Sequence, residues 1–312
     1  MVLLVNGTLI GSVTDPEDLL RSYSRFRDHV QDFLSQKEHK VVECDGCIFV
    51  SQNEFAVTRN STYEKHKIRY LGSDYATTCV IFVVFSDEKI GLAHLDSGDT
   101  SALRSLINKI GSSSLTIDIV GGFLDTRDTS KQILCTILNG LIQFPESFHL
   151  RTPCFGEFNT LIKKGIPWPK VYGVAIDIQS REIFPANFIF AGPARALRHV
   201  RLSFSKGKKG GIVDIFDDEE GLLRLDPFHY EPLSDYYIKN LLSMPPQYLI
   251  KHISTSPEVE KDNFLLNFIE CIQFMKRHPD SKAVFPNGKP CCFKYDTSSR
   301  SWKKKEEDTE RK

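Results

Sequence analysis

Blocks of apolar residues along the chain differ in spacing, and the spacing predicts helices and strands separately. The opening block, MVLLV, is expected to form a strand that ends at Asn6-Gly7. A helix is expected from Thr255 to His278, because Thr-x-x-Glu with an early Pro257 is typical of a helix N-terminus. Apolar residues also recur at helical spacing over residues 15–34, 101–110 and 129–144.

Short apolar runs bounded by turn residues predict the strands. The two strongest runs, 79–85 and 90–95, are joined by Ser86-Asp87-Glu88-Lys89, which is typical of a hairpin turn. Weaker runs predict strands at 46–52, 55–59, 68–71 and 115–120. Two further hairpins are expected, one pairing 171–178 with 182–184 and one pairing 211–216 with 222–225.

Hairpins combined with several helices predict the α+β class. We expect antiparallel and mixed β-sheets in a sandwich-like arrangement, flanked by helices. A single domain is expected over residues 1–302, with insertions near residues 151–170 and 205–211. The mixed-charge tail, residues 303–312, has no apolar anchor and is expected to be disordered.

Composition and charge argue against several classes of partner. The chain has 312 residues, of which 41% are hydrophobic, enough for one large domain or two small ones. Charged residues cancel to a net charge of zero, so no basic surplus indicates a nucleic-acid or membrane partner. No apolar stretch approaches the roughly 20 residues that span a bilayer, and the opening block is too short for a secretory signal.

The eight cysteines lack the spacing of a disulfide framework, which indicates reduced thiols in the cytosol or nucleus. Cys44 and Cys47 form a CxxC pair. A structural zinc site normally needs four ligands, and no second pair accompanies this one. We therefore interpret the pair as part of a turn and expect no metal site.

Cys79 stands where a polar turn becomes an apolar run, in the stretch GSDYATTCVIFVVF. If the hairpin turns between Asp87 and Glu88, His94 lies opposite Ile81 on the neighbouring strand. Alternate strand positions share a face, so Cys79 and His94 become diagonal neighbours, with Cβ atoms about 7–8 Å apart or less. A three-residue loop would place them on opposite faces, so the prediction depends on the turn.

A cysteine and a histidine in contact support nucleophilic chemistry. A free thiol has a pKa of about 8.5, and a nearby imidazole can take its proton and give a thiolate–imidazolium pair. The thiolate attacks an amide or ester carbon, and His94 then protonates the leaving group and activates water. Ser73 or Thr78 is a candidate to orient the imidazole. The alternative interpretation is a buried cysteine and an unrelated histidine.

The stretch LGSDYATTCVI resembles the signature of the protein N-terminal asparagine amidohydrolases, which deamidate an N-terminal Asn to Asp. Further blocks that resemble this family follow in family order: LLVNG, AVTR, AHLDSGDT, IVGGFLDTR, VYGVAIDI, ISTSPEVE, KRHPDS and VFPNGKP. The resemblance covers nearly the whole chain and is weak around residues 150–170 and 195–210. A more distant resemblance is to cysteine–histidine deamidases, whose fold we expect here.

The resemblance implies a site. Cys79 is identified as the nucleophile and His94 as its base, with Ser73 as the hydroxyl residue upstream. Gly121 and Gly122 are candidates for holding the oxyanion through backbone N–H groups. The substrate's α-ammonium requires a carboxylate, and candidates to bind the substrate, which alternatively only form turns or face solvent, are Asp74, Asp96 and Asp99, with Thr78 beside them.

The implied reaction is hydrolysis of the side-chain amide of an N-terminal Asn through a Cys79 thioester, without metal or organic cofactor. The expected partners are polypeptides with a free N-terminal Asn, upstream of an N-degron pathway in the cytoplasm and nucleus. A monomer without nucleic-acid or membrane partners is expected. Two alternatives stay open: deamidation of internal glutamine, and a module that recognises N-termini without turnover.

Overall fold

The computed structural model describes residues 2–5, 7–206 and 211–306. Its helices are α1 (Pro16–Ser22), α2 (Ser24–Ser35), α3 (Thr62–His66), α4 (Thr100–Ile110), α5 (Thr129–Gln143), α6 (Arg195–Phe204), α7 (Asp235–Leu242), α8 (Pro246–Ile253), α9 (Phe264–Arg277) and α10 (Ser281–Val284). Short 3-10 helices cover Glu43–Asp45, Gly156–Asn159 and Pro286–Gly288. No helix in the described part of the chain is both long and apolar enough to cross a membrane.

The strands in the first half of the chain are β1 (Val2–Val5), β2 (Thr8–Ile10), β3 (His39–Val41), β4 (Cys47–Phe49), β5 (Glu54–Arg59), β6 (Tyr70–Ser73), β7 (Val80–Phe85), β8 (Lys89–Leu95), β9 (Ser114–Gly121) and β10 (Ser147–Cys154). Those in the second half are β11 (Thr160–Lys163), β12 (Ile166–Pro169), β13 (Val174–Asp177), β14 (Ile183–Phe188), β15 (Ser205–Lys206), β16 (Val213–Asp214), β17 (Phe216–Asp217), β18 (Leu222–Leu225), β19 (His229–Tyr230), β20 (Cys291–Asp296) and β21 (Ser301–Lys304).

The central sheet has the strand order β16-β5-β8-β7-β9-β10-β1-β2 and is mixed. The pairs β5–β8, β8–β7, β7–β9 and β1–β2 are antiparallel. The pairs β16–β5, β9–β10 and β10–β1 are parallel. One face of this sheet packs under α4 and α5, because the apolar residues of each helix recur along one side. The α4 side buried in this way consists of Ala102, Leu103, Leu106, Ile107 and Ile110.

The other face of the central sheet packs on a second sheet, of order β3-β14-β13-β6-β4. Ile81 and Val83 of β7 share one buried cluster with Leu71 of β6 and Ile176 of β13. Strand β7 is thus covered on both faces, which explains its continuous apolar run, VIFVVF. The expected α+β class with sandwich-like sheets flanked by helices is confirmed.

Helices α6 to α9 form a second helical group with its own apolar contacts. Phe268 and Ile272 of α9 pack with Ile238 and Leu241 of α7 and with Leu249 of α8. Helix α6 contacts the same group through Val200, which is buried with Cys271 and Met275. This helical group forms one wall of the cavity described below.

Two of the expected helices have different bounds in the structure. The helix expected over residues 15–34 is divided at Tyr23, whose backbone is extended and whose ring packs edge-on against Phe26. The helix expected from Thr255 begins only at Phe264. The reason is that the hydroxyls of Thr255 and Ser256 bond to another loop instead of capping a helix.

The insertions expected near residues 151–170 and 205–211 stay predictions, whereas the expected tail differs at its start. Residues 151–154 continue β10, and β11 pairs with β12 as a hairpin, so 151–170 is largely regular structure. Lys303 and Lys304 pair with β20, so the expected disordered tail cannot begin at residue 303. Residues 207–210 and 307–312 lie outside the described residues, and the single domain stays a prediction.

Candidate active site

The hairpin of β7 and β8 has the predicted register. Ile81 pairs with His94 and Phe85 with Ile90, across a turn closed by a 3.0 Å bond from Ser86 N to the Lys89 carbonyl. Cys79, just before β7, lies with Ile81 in the apolar cluster between the two sheets. Cys79 and His94 therefore share one face of the central sheet, as the sequence predicted.

Cys79 and His94 line one cavity of about 200 Å³. The loop before β7 contributes Asp74, Tyr75 and Thr77 to its walls, and α6, α9 and residues 253–260 close the opposite side. The side chains are nearly enclosed, since Cys79 is 8% exposed and His94 2% exposed. The cavity thus combines a thiol and an imidazole with limited access to water.

The Ser73 hydroxyl fixes the His94 ring. Ser73 Oγ lies 2.7 Å from the Val50 carbonyl oxygen and 2.8 Å from His94 Nδ1. The carbonyl can only accept, so the hydroxyl donates its one proton to Val50 and accepts from Nδ1–H. In the neutral ring Nε2 then carries the lone pair, and this buried atom has no hydrogen-bond partner among the described residues. Nε2 is therefore available as a base.

Burial keeps both members of the pair uncharged. It raises the pKa of the Cys79 thiol, and the nearby carboxylates Asp96 and Glu260 raise it further. Burial also lowers the pKa of His94 to about 4, although Asp96 and Glu54 oppose the shift. Burial thus disfavours both charged forms, and with them the thiolate–imidazolium pair expected from the sequence.

A segment far along the chain, residues 254–261, is tied to the loop that carries Cys79. Thr255 Oγ1 lies 3.1 Å from Thr78 Oγ1, and the Ser256 hydroxyl donates to Thr77 Oγ1 over 2.8 Å. Thr78 is thus bonded to this segment and does not orient His94, while Thr77 and not Thr78 lines the cavity. Ser73 is the hydroxyl that contacts the imidazole.

The three candidate aspartates have structural partners. Asp74 lines the cavity, but its carboxylate accepts from Lys261 Nζ at 2.5 and 2.7 Å and from two backbone N–H groups. Asp96 accepts from the side-chain amides of Gln52 and Asn53 at 2.7 and 2.8 Å. Asp99 caps α4, as its alternative interpretation expected.

Gly121 adjoins the backbone of Cys79, and neither Gly121 nor Gly122 lines the cavity. Gly121 has a φ of +101°, and a Cβ there would stand 2.7 Å from the Cys79 carbonyl oxygen. The Gly122 carbonyl accepts from the Asn159 side chain over 3.2 Å. The structure therefore gives both glycines a supporting position and does not bring them to the substrate.

Sequence reasoning missed Glu260 and Ser254, which also line the cavity. Glu260 lies within the helix expected from Thr255, Ser254 directly precedes that helix, and no local pattern links either residue to Cys79. No group of three or more His, Cys, Asp or Glu that suits a metal ion occurs in the described ranges. Burial raises the pKa of the Cys47 thiol, so this half of the CxxC pair is poorly suited to ligate a metal.

Comparisons with known proteins identify the family of this chain. The family model of protein N-terminal asparagine amidohydrolases matches residues 37–304. A human protein of that name is 30% identical over 305 residues, covering 94% of this chain and 95% of its own length. An Arabidopsis thaliana protein of the same name is 24% identical over 289 residues, covering 83% and 81%. The chain therefore belongs to the protein N-terminal asparagine amidohydrolase family.

Proposed function

We propose that this protein hydrolyses the side-chain amide of an N-terminal Asn, converting it to Asp and releasing ammonia. Family membership supports the reaction class. The observation that carries the proposal is a thiol and an imidazole nitrogen, the latter without a hydrogen-bond partner among the described residues, that line one cavity. Nucleophile, base and orienting hydroxyl are the three groups that cysteine amidases need.

The first step is attack of Cys79 Sγ on the carboxamide carbon. The thiol proton moves to His94 Nε2 as the S–C bond forms, because burial disfavours a standing thiolate. The ring becomes an imidazolium, and its Nδ1–H bond to Ser73 holds it in place. The carboxamide oxygen becomes the oxyanion of a tetrahedral intermediate.

The intermediate then collapses with loss of ammonia. The C–N bond breaks, His94 returns the proton to the leaving nitrogen, and a thioester to Cys79 remains. Water gives a proton to Nε2 and attacks the thioester carbon, and the C–S bond breaks to release Asp and restore the thiol. Each proton that His94 accepts is thus returned within the cycle.

Thr77 is our candidate donor to the oxyanion. Its Oγ1 lines the cavity and accepts from Ser256, which leaves its own proton free to donate. A donor of this kind contributes about 2.7–4 kcal/mol to lowering the barrier. The supporting positions of Gly121 and Gly122 make them weaker candidates.

The cavity also bears on the choice between Asn and Gln. One methylene in a pocket is worth only about 1–3 kcal/mol of discrimination. The longer Gln side chain, however, displaces the carboxamide carbon from Cys79, and a misplaced carbon loses near-attack geometry. Cys79 lies in the buried cluster between the two sheets, and this fixed position favours Asn.

The test uses peptides that begin with Asn, begin with Gln or contain an internal Gln. The wild-type protein is expected to release one ammonia from the first peptide, with a mass gain of about one dalton as amide becomes acid. Cys79→Ala is expected to lose this activity and to keep its fold by circular dichroism. Wild-type turnover by Cys79→Ala, or preference for internal Gln, would reject the proposal.

The cellular role proposed with this reaction is a step upstream of N-degron recognition, in the cytoplasm and nucleus, by a monomer. The support is chemical, since the product is a polypeptide with a new N-terminal Asp. A reporter that exposes N-terminal Asn is expected to persist longer in cells that lack this protein, and an Asp-bearing reporter is expected to be unaffected. Equal lifetimes of the Asn reporter with and without the protein would contradict this role.

A further inference from the structure

Charged side chains line the cavity around Cys79, and nearly all of them have a partner of opposite charge. The three pairs are Asp74 with Lys261, Arg195 with Glu270, and Arg198 with Glu54. Glu260 differs from them. Among the described residues its carboxylate accepts a hydrogen bond from the Ser254 hydroxyl, and no cation accompanies it.

Glu260 is held firmly in the cavity wall. The Ser256 and Thr255 contacts tie its segment to the Cys79 loop on one side. On the other side the Tyr172 hydroxyl donates to the Val259 carbonyl over 2.9 Å. The neighbouring Lys261 is committed to Asp74 and does not neutralise Glu260. Within the part of the chain that the structure describes, the cavity therefore presents one fixed carboxylate that lacks a counterion.

The substrate of the proposed reaction brings a cation to this position. In an N-terminal Asn, three covalent bonds separate the α-nitrogen from the carboxamide carbon, a distance of less than about 4 Å. When that carbon meets Cys79, the α-ammonium must lie in the same cavity. Building on the proposed function, we propose that Glu260 binds the α-ammonium group of the substrate's first residue.

The ion pair explains why an N-terminus is required. A desolvated carboxylate gains most from a cation that replaces the water it has lost. An internal or N-acetylated Asn has an amide in place of the ammonium and leaves Glu260 buried without a cation. Discrimination by an unpaired buried group is stronger than discrimination by size alone.

The ionisation of Glu260 supports this role. Burial raises the pKa of Glu260 to about 7, against a smaller opposing effect of Ser254. The titratable groups around it are Cys79 and Tyr172, whose pKa values its charge raises, and the cavity-lining Asp74, His94, Arg195, Arg198 and His199. Binding of a cation is expected to lower the pKa of Glu260 again.

The first experiment compares Glu260→Gln with Glu258→Gln, which changes an exposed carboxylate in the same segment. Initial rates are measured with a peptide bearing free N-terminal Asn and with its N-acetylated form. Glu260→Gln is expected to lower kcat/KM for the free peptide by at least about tenfold, mainly through KM, and to bring the free-to-acetylated ratio towards one. Glu258→Gln is expected to keep the wild-type ratio.

A wild-type ratio in a folded Glu260→Gln variant would overturn the assignment. If the wild-type protein releases no ammonia from either peptide, the proposed function fails instead, so the two failures are distinguishable. Melting temperatures of both variants show whether they fold.

The second experiment needs no change at Glu260. Calorimetry measures binding of both peptides to Cys79→Ala between pH 6 and 9. Affinity for the free peptide is expected to rise through about pH 7 as Glu260 ionises, and to fall above about 8 as the α-amine loses its proton. The acetylated peptide is expected to bind weakly at every pH. Equal affinities for the two peptides would reject the ion pair.

Discussion

At the residue scale, His94 shows how burial and one hydroxyl define a base. The low pKa of His94 keeps the ring neutral, and the Ser73 bond directs its lone pair to Nε2. A solvated histidine would be partly protonated near pH 6.5 and lose base capacity there. Burial therefore extends the useful range of this base towards acid.

The acid limb of activity is expected to belong to Glu260 and not to His94. The pH dependence of kcat/KM reports ionisations of the free enzyme. Glu260 must be deprotonated to bind the ammonium, and its pKa is about 7. His94 must be unprotonated to act as a base, and its pKa is about 4. Wild-type kcat/KM should fall as pH drops through about 7. In Glu260→Gln the remaining, lower activity should be flat until about pH 4.

Rate profiles from pH 4 to 9 with the free peptide test this assignment, with Glu258→Gln as the control that keeps the wild-type limb. A limb near pH 7 that persists in Glu260→Gln would assign it to a different group.

At the element scale, contacts with residues 254–261 hold the loop before β7 in position. Asp74 is fully buried, and Lys261, 19% exposed, reaches it between the rings of Tyr75 and Tyr172. Asp74 thus fastens residues 254–261 to the nucleophile loop. A substrate-binding role, which the sequence suggested for Asp74, would require this pair to open.

Lys261→Met is expected to lower the free energy of unfolding by about 3–5 kcal/mol, since it leaves the Asp74 carboxylate buried without its cation. Lys282→Met, at an exposed position of α10, is the matched control and is expected to change stability by less than about 0.5 kcal/mol. Urea denaturation measures both. A Lys261→Met variant as stable as the control would show that the pair contributes little.

Gly121→Ala is expected to impair both folding and turnover. Its φ of +101° is unfavourable for alanine, and the added Cβ would press on the Cys79 carbonyl at 2.7 Å. Gly111→Ala is the control, because its φ is also positive, at +70°, but its surroundings are open. Both should lose about 1 kcal/mol or more of stability, and only Gly121→Ala should also lower kcat. Equal kcat values for Gly121→Ala and Gly111→Ala would mean that the loop carrying Cys79 shifts to accommodate the added Cβ.

At the scale of the whole molecule, the features that the sequence predicted are those with a local sequence pattern. The β7–β8 register followed from four turn residues, and with it the shared face of Cys79 and His94. The sandwich-like sheets followed from hairpins and continuous apolar runs. Each of these predictions used only patterns of residues that are close together in the sequence.

Long-range contacts account for what the sequence did not predict. Residues Thr255 to Glu258 carry a local capping pattern, but their hydroxyls find better partners 177 and 179 positions away, and the helix starts later. Glu260 was missed because the same long-range contacts bring its segment to the cavity. Only the tertiary structure shows that Asp74 is paired with Lys261 while Glu260 has no cation beside it among the described residues.

Ser256 follows Thr77 by 179 positions, so the two sides of the cavity are synthesised at different times. At about 5–20 residues per second, the ribosome completes the nucleophile loop about 10 to 40 s before the wall that faces it. A nascent chain therefore exposes Cys79 before Glu260, the residue proposed to bind the substrate's α-ammonium, has been made. The protein acquires its activity only after the last third of the chain has been translated and has docked.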